Sequence, residues 1–247
     1  MNKSEFTTVG KSVFEFRYDP ILSFCDWKGS LAEHLIEKLG FEGFRIANSR
    51  IDLTNPESQD FLVFVGMQNA GLLIEDNIDI KKLQEKIDKF ITALNSFDKF
   101  KPKNIGRIGV RLSFLRHKRN VSFAQIKTTF ENYIIKLNES PYKDFEGVVR
   151  IDVGLPLSFK SKNYDFKITH GPMERKQALL QFFTNKSVYE DDSNAFPKSG
   201  LFFDIDVSKI GSEAIDLDEI KKRANEFALV GNEKFEYISN ELFSHIQ

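Results

Sequence analysis

Cysteine is almost absent from this sequence, which has only Cys25 among its 247 residues. A single thiol excludes an internal disulfide and a zinc site built from cysteines. The residues on either side of it match no motif of a nucleophilic cysteine, so we expect a thiol that is either buried or incidental, without a chemical role. A chain of this length can bury roughly 70–75% of its unfolded surface, so it needs neither crosslinks nor structural metals.

Signatures of membrane proteins and of common enzymes are missing as well. No apolar run approaches the roughly 18 residues of a membrane span, and the N-terminal residues lack the apolar stretch of a signal peptide. We therefore expect a cytoplasmic protein that binds no membrane. No phosphate-binding loop, dinucleotide motif or Gly-x-Ser-x-Gly motif occurs, and we expect no cofactor. The histidines lack zinc-site spacing, and His170, before Gly171-Pro172, is typical of a solvated turn.

Opposite charges nearly cancel along the chain, with 35 basic and 36 acidic residues and a formal net charge of −1. The whole molecule is therefore not an obvious binder of polyanions, and a site for anions requires local clustering. Phenylalanine is used heavily, with 25 residues. Most recur at strand or helix spacing, which predicts that they pack in a core.

The apolar periodicity predicts an α+β fold, mainly antiparallel sheet with amphipathic helices packed on it. Strands are predicted at 13–18, 44–53, 61–65, 72–74, 105–116, 147–159, 163–170, 176–184 and 201–207. Helices are predicted at 29–40 with Ser30 as N-cap, at 79–95, from Ser122, from Asp216 and, after a break at Gly231, at 232–246. The similar element order of 1–98 and 99–247 indicates two α+β halves, with one continuous domain as the alternative. The stretch 185–200 predicts a mobile acidic loop.

A basic region without any acid runs from Lys99 to Phe130. Within it, Arg107 and Arg111 share one face of a predicted strand, with Gly109 between them leaving room. Arginine donates to phosphate and carboxylate groups in a planar, bidentate manner. We therefore predict a binding site for anions or nucleic acid that uses Arg107, Arg111, Arg116, Lys118 and Arg119. The alternative is that the two strand arginines pair with acids on a neighbouring strand.

A pair of acids supplies the second candidate site. Asp204 and Asp206 share one face of the predicted strand 201–207, and two carboxylates in this arrangement can hold Mg²⁺. Asp152 is a third candidate ligand. No tight nuclease-like pattern of Glu and Lys accompanies them. The interpretation that we favour is that Asp204 and Asp206 are the internal partners of Arg107 and Arg111.

The strand Arg107-Ile-Gly-Val-Arg-Leu112 resembles the Arg-x-Gly-Val-Arg strand of a sporadically distributed family of uncharacterised bacterial proteins of about this length. The C-terminal Asp-Ile-Asp strand and a closing helix with residues 232–239 are also similar to that family. Ser113-Phe114 stands where the family has an aromatic residue and Asn. Because patchy distribution is typical of mobile or defence-associated genes, the resemblance implies a bacterial setting linked to defence.

Two functions from different classes follow from these features. The first is a non-catalytic binding or assembly module that contacts a protein partner, a second copy of the chain or nucleic acid through the basic region 99–119. The second is a metal-dependent phosphoester hydrolase that uses Asp204 and Asp206. The missing catalytic motifs favour the first.

Overall fold

A nine-stranded antiparallel sheet forms the frame of the fold. The structure is a computed structural model that describes residues 5–55, 60–75, 79–136, 154–181 and 197–246. The strands are β1 (Phe6–Arg17), β2 (Gly43–Ile46), β3 (Arg50–Thr54), β4 (Phe61–Gly66), β5 (Asn69–Glu75), β6 (Ile105–Lys118), β7 (Leu155–Lys160), β8 (Asp165–Glu174) and β9 (Ser199–Glu213). Their order across the sheet is β2-β3-β4-β5-β1-β6-β9-β8-β7.

Helices join these strands, and most of them cover one face of the sheet. They are α1 (Phe24–Leu39), α2 (Ile80–Asn95), α3 (Phe123–Thr129), which continues as a π-helical turn (Phe130–Ile135), α4 (Arg175–Gln181) and α5 (Leu217–Ser244). The predicted α+β class is confirmed. Antiparallel strands with one buried face explain the alternation of apolar and polar residues in the sequence.

The chain builds the sheet as two contiguous groups of strands. Residues 6–75 supply β2, β3, β4, β5 and β1, and residues 105–213 supply β6, β9, β8 and β7. In each group the last strand returns to pair with the first, β5 with β1 and β9 with β6. The two groups meet where β1 pairs with β6. The predicted boundary at residue 98 falls between α2 and β6, and the sheet is continuous across it.

The main core lies between the sheet and the helices α1, α2, α3 and α5. Every second residue of β6, from Ile108 to Phe114, is buried on this side. Phe114 stacks on Phe235 of α5, with ring centroids 4.1 Å apart. Burying a side chain of this size contributes roughly 1.5–3 kcal/mol. Phe114 and Phe235 are both buried, as expected for phenylalanines that recur at strand or helix spacing.

Polar side chains cap the starts of three helices. The side chain of Asp79 accepts hydrogen bonds from the first turn of α2, and that of Asp216 accepts one from Glu219 in α5. Ser122 and Gln125 form the predicted reciprocal capping box at the start of α3. The start of such a helix can be predicted from nearby residues alone. The capping side chain accepts hydrogen bonds from first-turn N–H groups that have no carbonyl acceptor within the helix.

Helix α1 begins earlier than predicted and has no capping side chain. It starts at Phe24, so Ser30 lies inside the helix and not at its N-cap. The cause is tertiary, since Phe24 and Trp27 are buried and pack edge to face with centroids 5.2 Å apart. Cys25, in the same turn, is exposed, so of the two expected alternatives, a buried or an incidental thiol, the buried one is wrong.

Over its described part, the predicted strand at 176–184 is also wrong, because α4 occupies Arg175–Gln181. Residues 182–184 lie outside the described residues. Ala178 of this short helix is buried against Val9 and Leu115, on the sheet face opposite the main core. Strand β8 runs without interruption through Gly171 and Pro172. The predicted strand residues 147–153 and most of the predicted loop 185–200 lie outside the described residues.

Gly231 does not break the C-terminal helix. Helix α5 runs continuously from Leu217 to Ser244, and Gly231 is buried in its middle. A Cβ atom there would lie 2.9 Å from Cδ1 of Leu112. The glycine therefore allows the helix backbone to lie close to the side chains of the sheet, a requirement that local propensity does not reveal.

We expect Gly231→Val to lower the free energy of unfolding by about 1–3 kcal/mol, because the added methyl groups overpack against Leu112. The matched control is Gly29→Ala in α1, where a Cβ would meet nothing within 4 Å. That change should raise stability by about 0.5–1 kcal/mol through helix propensity. Urea denaturation measures both. A stability gain at both positions would contradict the close approach of α5.

Candidate binding face of the sheet

The second face of the sheet lies opposite the main core and is termed the open face. It consists of the residues that alternate with the core positions, among them Glu15 and Arg17 of β1, Arg107 and Arg111 of β6, and Asp204 and Asp206 of β9. Of the described helices, α4 alone covers part of it, at the corner formed by Val9, Leu115 and Phe202. The strand pairing sets these polar residues in rows across the centre of the sheet.

Arg107 lies flat on the open face and joins three strands. Its Nη2 donates to both carboxylate oxygens of Asp206 at 2.7 and 2.9 Å. Its Nη1 lies 3.6 Å from a carboxylate oxygen of Glu15. A Cβ on Gly109 would lie 2.6 Å from the guanidinium atoms, so this glycine provides the space in which the side chain lies.

Arg111 pairs with Asp204 in a bidentate, side-on arrangement. Its Nε and Nη2 donate to the two carboxylate oxygens at 2.7 and 2.6 Å, and Ser113 also donates to Asp204. The hydrogen bond to Asp204 and the charges of Asp204 and Asp206 raise the pKa of Arg111 against the effect of its burial. The favoured interpretation, in which the two arginines pair with the two aspartates, is confirmed.

A third ion pair repeats this geometry on β1, and the sequence analysis missed it. Arg17 donates from Nε and Nη2 to the two oxygens of Glu15, both at 3.1 Å. Burial opposes ionisation of Glu15, but hydrogen bonds from Arg17 and Asn69 and the charge of Arg107 outweigh it, so the pKa of Glu15 is lowered. The alternation Phe14-Glu15-Phe16-Arg17 was the available signal, because it places both charges on one strand face.

In the ion pairs of Arg17 and Arg111, the arginines are more exposed than the carboxylates that they bind. The side chains of Arg17 and Arg111 are 59% and 55% exposed, whereas those of their partners Glu15 and Asp204 are each 17% exposed. The short carboxylates lie close to the backbone, and the longer arginines extend over them. A face that is nearly neutral by count therefore presents guanidinium groups outermost at these two positions.

The five cations predicted as one site do not share one surface. Arg116 is buried on the helix side, where it bonds to Glu236 and Ser239 and lies over the rings of Phe6 and Phe235. This correction follows from the strand period, because residues 111 and 116 are an odd number of positions apart and point to opposite faces.

Lys118 and Arg119 lie at the end of β6, away from the central rows of the open face. Lys118 is on the helix side, 3.5 Å from the carbonyl oxygen of Phe243 and 3.3 Å from Glu5. Arg119 is exposed in the following turn. Arg107 and Arg111 are thus the two predicted cations that the fold brings together.

The carboxylates proposed as metal ligands are held by cations. Asp204 and Asp206 each receive two hydrogen bonds from a guanidinium group, which occupies the oxygens that a metal ion requires. Among the described residues, no group of three or more His, Cys, Asp or Glu is arranged to hold a metal ion. Asp152, the third candidate, lies outside those residues.

His170 is buried and does not lie in a solvated turn. It is in the middle of β8, with its ring stacked on Phe203 and edge to face with Phe130. Its Nδ1 is buried and has no hydrogen-bond partner among the described residues. Burial lowers the pKa of His170 below 6.5, and a hydrogen bond with the Leu155 backbone opposes this effect. His170 is therefore a neutral core residue at pH 7.

Comparisons with known proteins assign the chain to no group. No family profile matches it, and no curated protein matches its sequence. No helix within the described ranges is long and apolar enough to cross a membrane. The open face must therefore be interpreted from its own chemistry.

The burial of His170 predicts a dependence of stability on pH. Because the folded protein holds the neutral ring, the unfolded chain binds an extra proton as the pH falls below about 6.5. The stabilisation is therefore complete above that pH and is lost progressively as the pH falls toward the lowered folded pKa. Urea unfolding at pH 7.5 and 5.5 measures the loss. His170→Phe, which keeps a ring between Phe130 and Phe203, should reduce it, and an unchanged loss would contradict the assignment.

The position of Arg107 over Gly109 can be tested with a double-mutant cycle. Gly109→Ala should displace the guanidinium from Glu15 and Asp206 and destabilise the protein by about 1 kcal/mol. In an Arg107→Met background Gly109→Ala should destabilise the protein much less, because the methionine side chain forms no ion pair with Glu15 or Asp206 that the added methyl group could break. Chemical denaturation of the four proteins gives the coupling energy. A coupling energy of zero would show that the glycine does not accommodate Arg107.

Proposed function

We propose that this protein is a non-catalytic binding module whose open face receives a partner bearing anionic groups. One observation carries this proposal. Arg17 and Arg111 each use Nε and Nη2 for an internal carboxylate, and the bonds of these side chains leave Nη1 without a partner among the described residues. Two half-exposed guanidinium groups are thus fixed in orientation with donors still available.

Fixed donors favour binding because little side-chain freedom remains to be lost. An unpaired arginine gives up about 2 kcal/mol of rotamer entropy when it is immobilised, whereas these two are already held by bidentate ion pairs. Their Nη1 groups are suited to a carboxylate or a phosphate oxygen. The internal acids thereby position the cations in addition to neutralising part of their charge.

This proposal moves the expected binding surface from the basic region as a whole to the middle of the sheet. It keeps Arg107 and Arg111, adds Arg17, and leaves out Arg116 and Lys118, which are held on the helix side. The bacterial, defence-associated setting and the cytoplasmic location belong to the proposal as expectations from sequence. The metal-dependent hydrolase is not carried forward, because it requires the carboxylates that orient these arginines.

Binding to immobilised heparin tests the proposal with a generic polyanion. The variant Arg17→Gln with Arg111→Gln should bind about tenfold more weakly than the unaltered protein, a loss of ~1.4 kcal/mol, and should elute at lower salt. The matched control is Lys99→Gln with Lys222→Gln, which removes the same charge from exposed positions off the open face. Equal losses in both variants would show that only net charge matters and would overturn the proposal.

A further inference from the structure

The charges of the open face indicate the kind of partner that it fits. On the described strands of this face, eight cations and six acids alternate, and these strand positions have a formal net charge of +2. The cations are Lys11, Arg17, Arg45, Arg50, Arg107, Arg111, Lys160 and Lys167, and the acids are Glu15, Asp52, Glu75, Asp165, Asp204 and Asp206. Every cation lies beside an acid on the same strand or on the next.

Such alternation disfavours a nucleic acid. Duplex DNA carries a negative charge for about every 1.7 Å of its axis, so a backbone lying across the sheet would place phosphates over Glu15, Asp204 and Asp206 as well as over the arginines. Single strands usually stack bases on exposed aromatic rings. The phenylalanine, tyrosine and tryptophan side chains on the described strands of this face are Phe64 and Phe202, and both are buried.

A protein surface can match the alternation, because it can supply carboxylates at chosen positions and apolar contact between them. Arginine is enriched at protein interfaces. Ile210, opposite Arg107 in the register of β6 and β9, is 59% exposed and offers an apolar contact beside the central ion pairs.

We infer that the occupant of the open face is a protein segment with two carboxylates that bind Arg17 and Arg111. This inference rests on the proposed function. Arg17 pairs with Arg107, and Arg111 lies four residues further along β6. The Cα atoms of Arg17 and Arg111 are therefore about 14 Å apart, since residues rise ~3.4 Å along a strand and strands lie ~4.8 Å apart.

The distance of about 14 Å between Arg17 and Arg111 determines the spacing of the two carboxylates in a matching peptide. In an extended segment, two glutamates four residues apart lie on one face and are separated by about 14 Å. Two glutamates two residues apart also share a face but are only about 7 Å apart. A threonine-rich peptide with the pattern Glu-x-x-x-Glu should therefore reach both arginines, whereas a peptide of equal charge with Glu-x-Glu should reach only one.

Titration followed by NMR of the arginine Nε–H signals tests this inference on the full chain. The Glu-x-x-x-Glu peptide should shift the signals of Arg17 and Arg111 together and bind at least about threefold more tightly than the Glu-x-Glu peptide. The variant Arg17→Gln with Arg111→Gln should lose this preference, and the control Lys99→Gln with Lys222→Gln should keep it. Circular dichroism establishes that each variant is folded.

The remaining outcomes distinguish failure of this inference from failure of the proposed function on which it rests. Equal binding of the two peptides, or tighter binding of a DNA duplex that shifts the same two signals, would overturn the inference and leave the open face as a general anion site. If neither peptide nor duplex shifts the signals of Arg17 or Arg111, both the inference and the proposed function are wrong.

Discussion

The ion pairs around Arg107 connect the two groups of strands that build this sheet. β1 and β6 pair over nearly their whole length, and Arg107 extends across that junction to Glu15 on β1 and to Asp206 on β9. A slip of one residue between these strands would turn the charged row toward the core and the apolar row toward solvent. The pairing of charge on one face and the packing of phenylalanine on the other therefore specify the same register, and Gly109 makes the arrangement sterically possible.

The same interaction shapes the surface that the sheet presents. Acids that hold the arginines lie close to the backbone, so they determine where the guanidinium groups point while contributing little to the outermost layer. A residue count alone describes this face as almost neutral. The side-chain lengths determine that its outermost groups at Arg17 and Arg111 are donors, and this difference in height is the physical basis for considering the face a binding surface.

Prediction from sequence was reliable where the signal is local and failed where a distant contact decides. The amphipathic helix over 79–95 and the helix starts at Ser122 and Asp216 were predicted correctly, because the apolar period extends over a few turns and a cap involves residues of a single turn. The start of α1 was missed because Phe24 and Trp27 are drawn into the core by residues elsewhere in the chain. Gly231 was misinterpreted as a break for the same reason, since it is the sheet that requires a small residue there.

The candidate site shows the same difference between local signals and distant contacts. The sequence by itself determined that Arg107 and Arg111 share a strand face with Gly109 between them, and that Asp204 and Asp206 share another, because side chains alternate with a fixed period of two. The strand period also places Arg116 on the opposite face, but only the tertiary structure decided that Arg107 binds Asp206 and Arg111 binds Asp204, that Glu15 and Arg17 join them, and that Arg116 binds Glu236 and Ser239. Those outcomes depend on strand order and register, which arise from contacts between residues about 90 to 120 positions apart in the chain and leave no local pattern in the sequence.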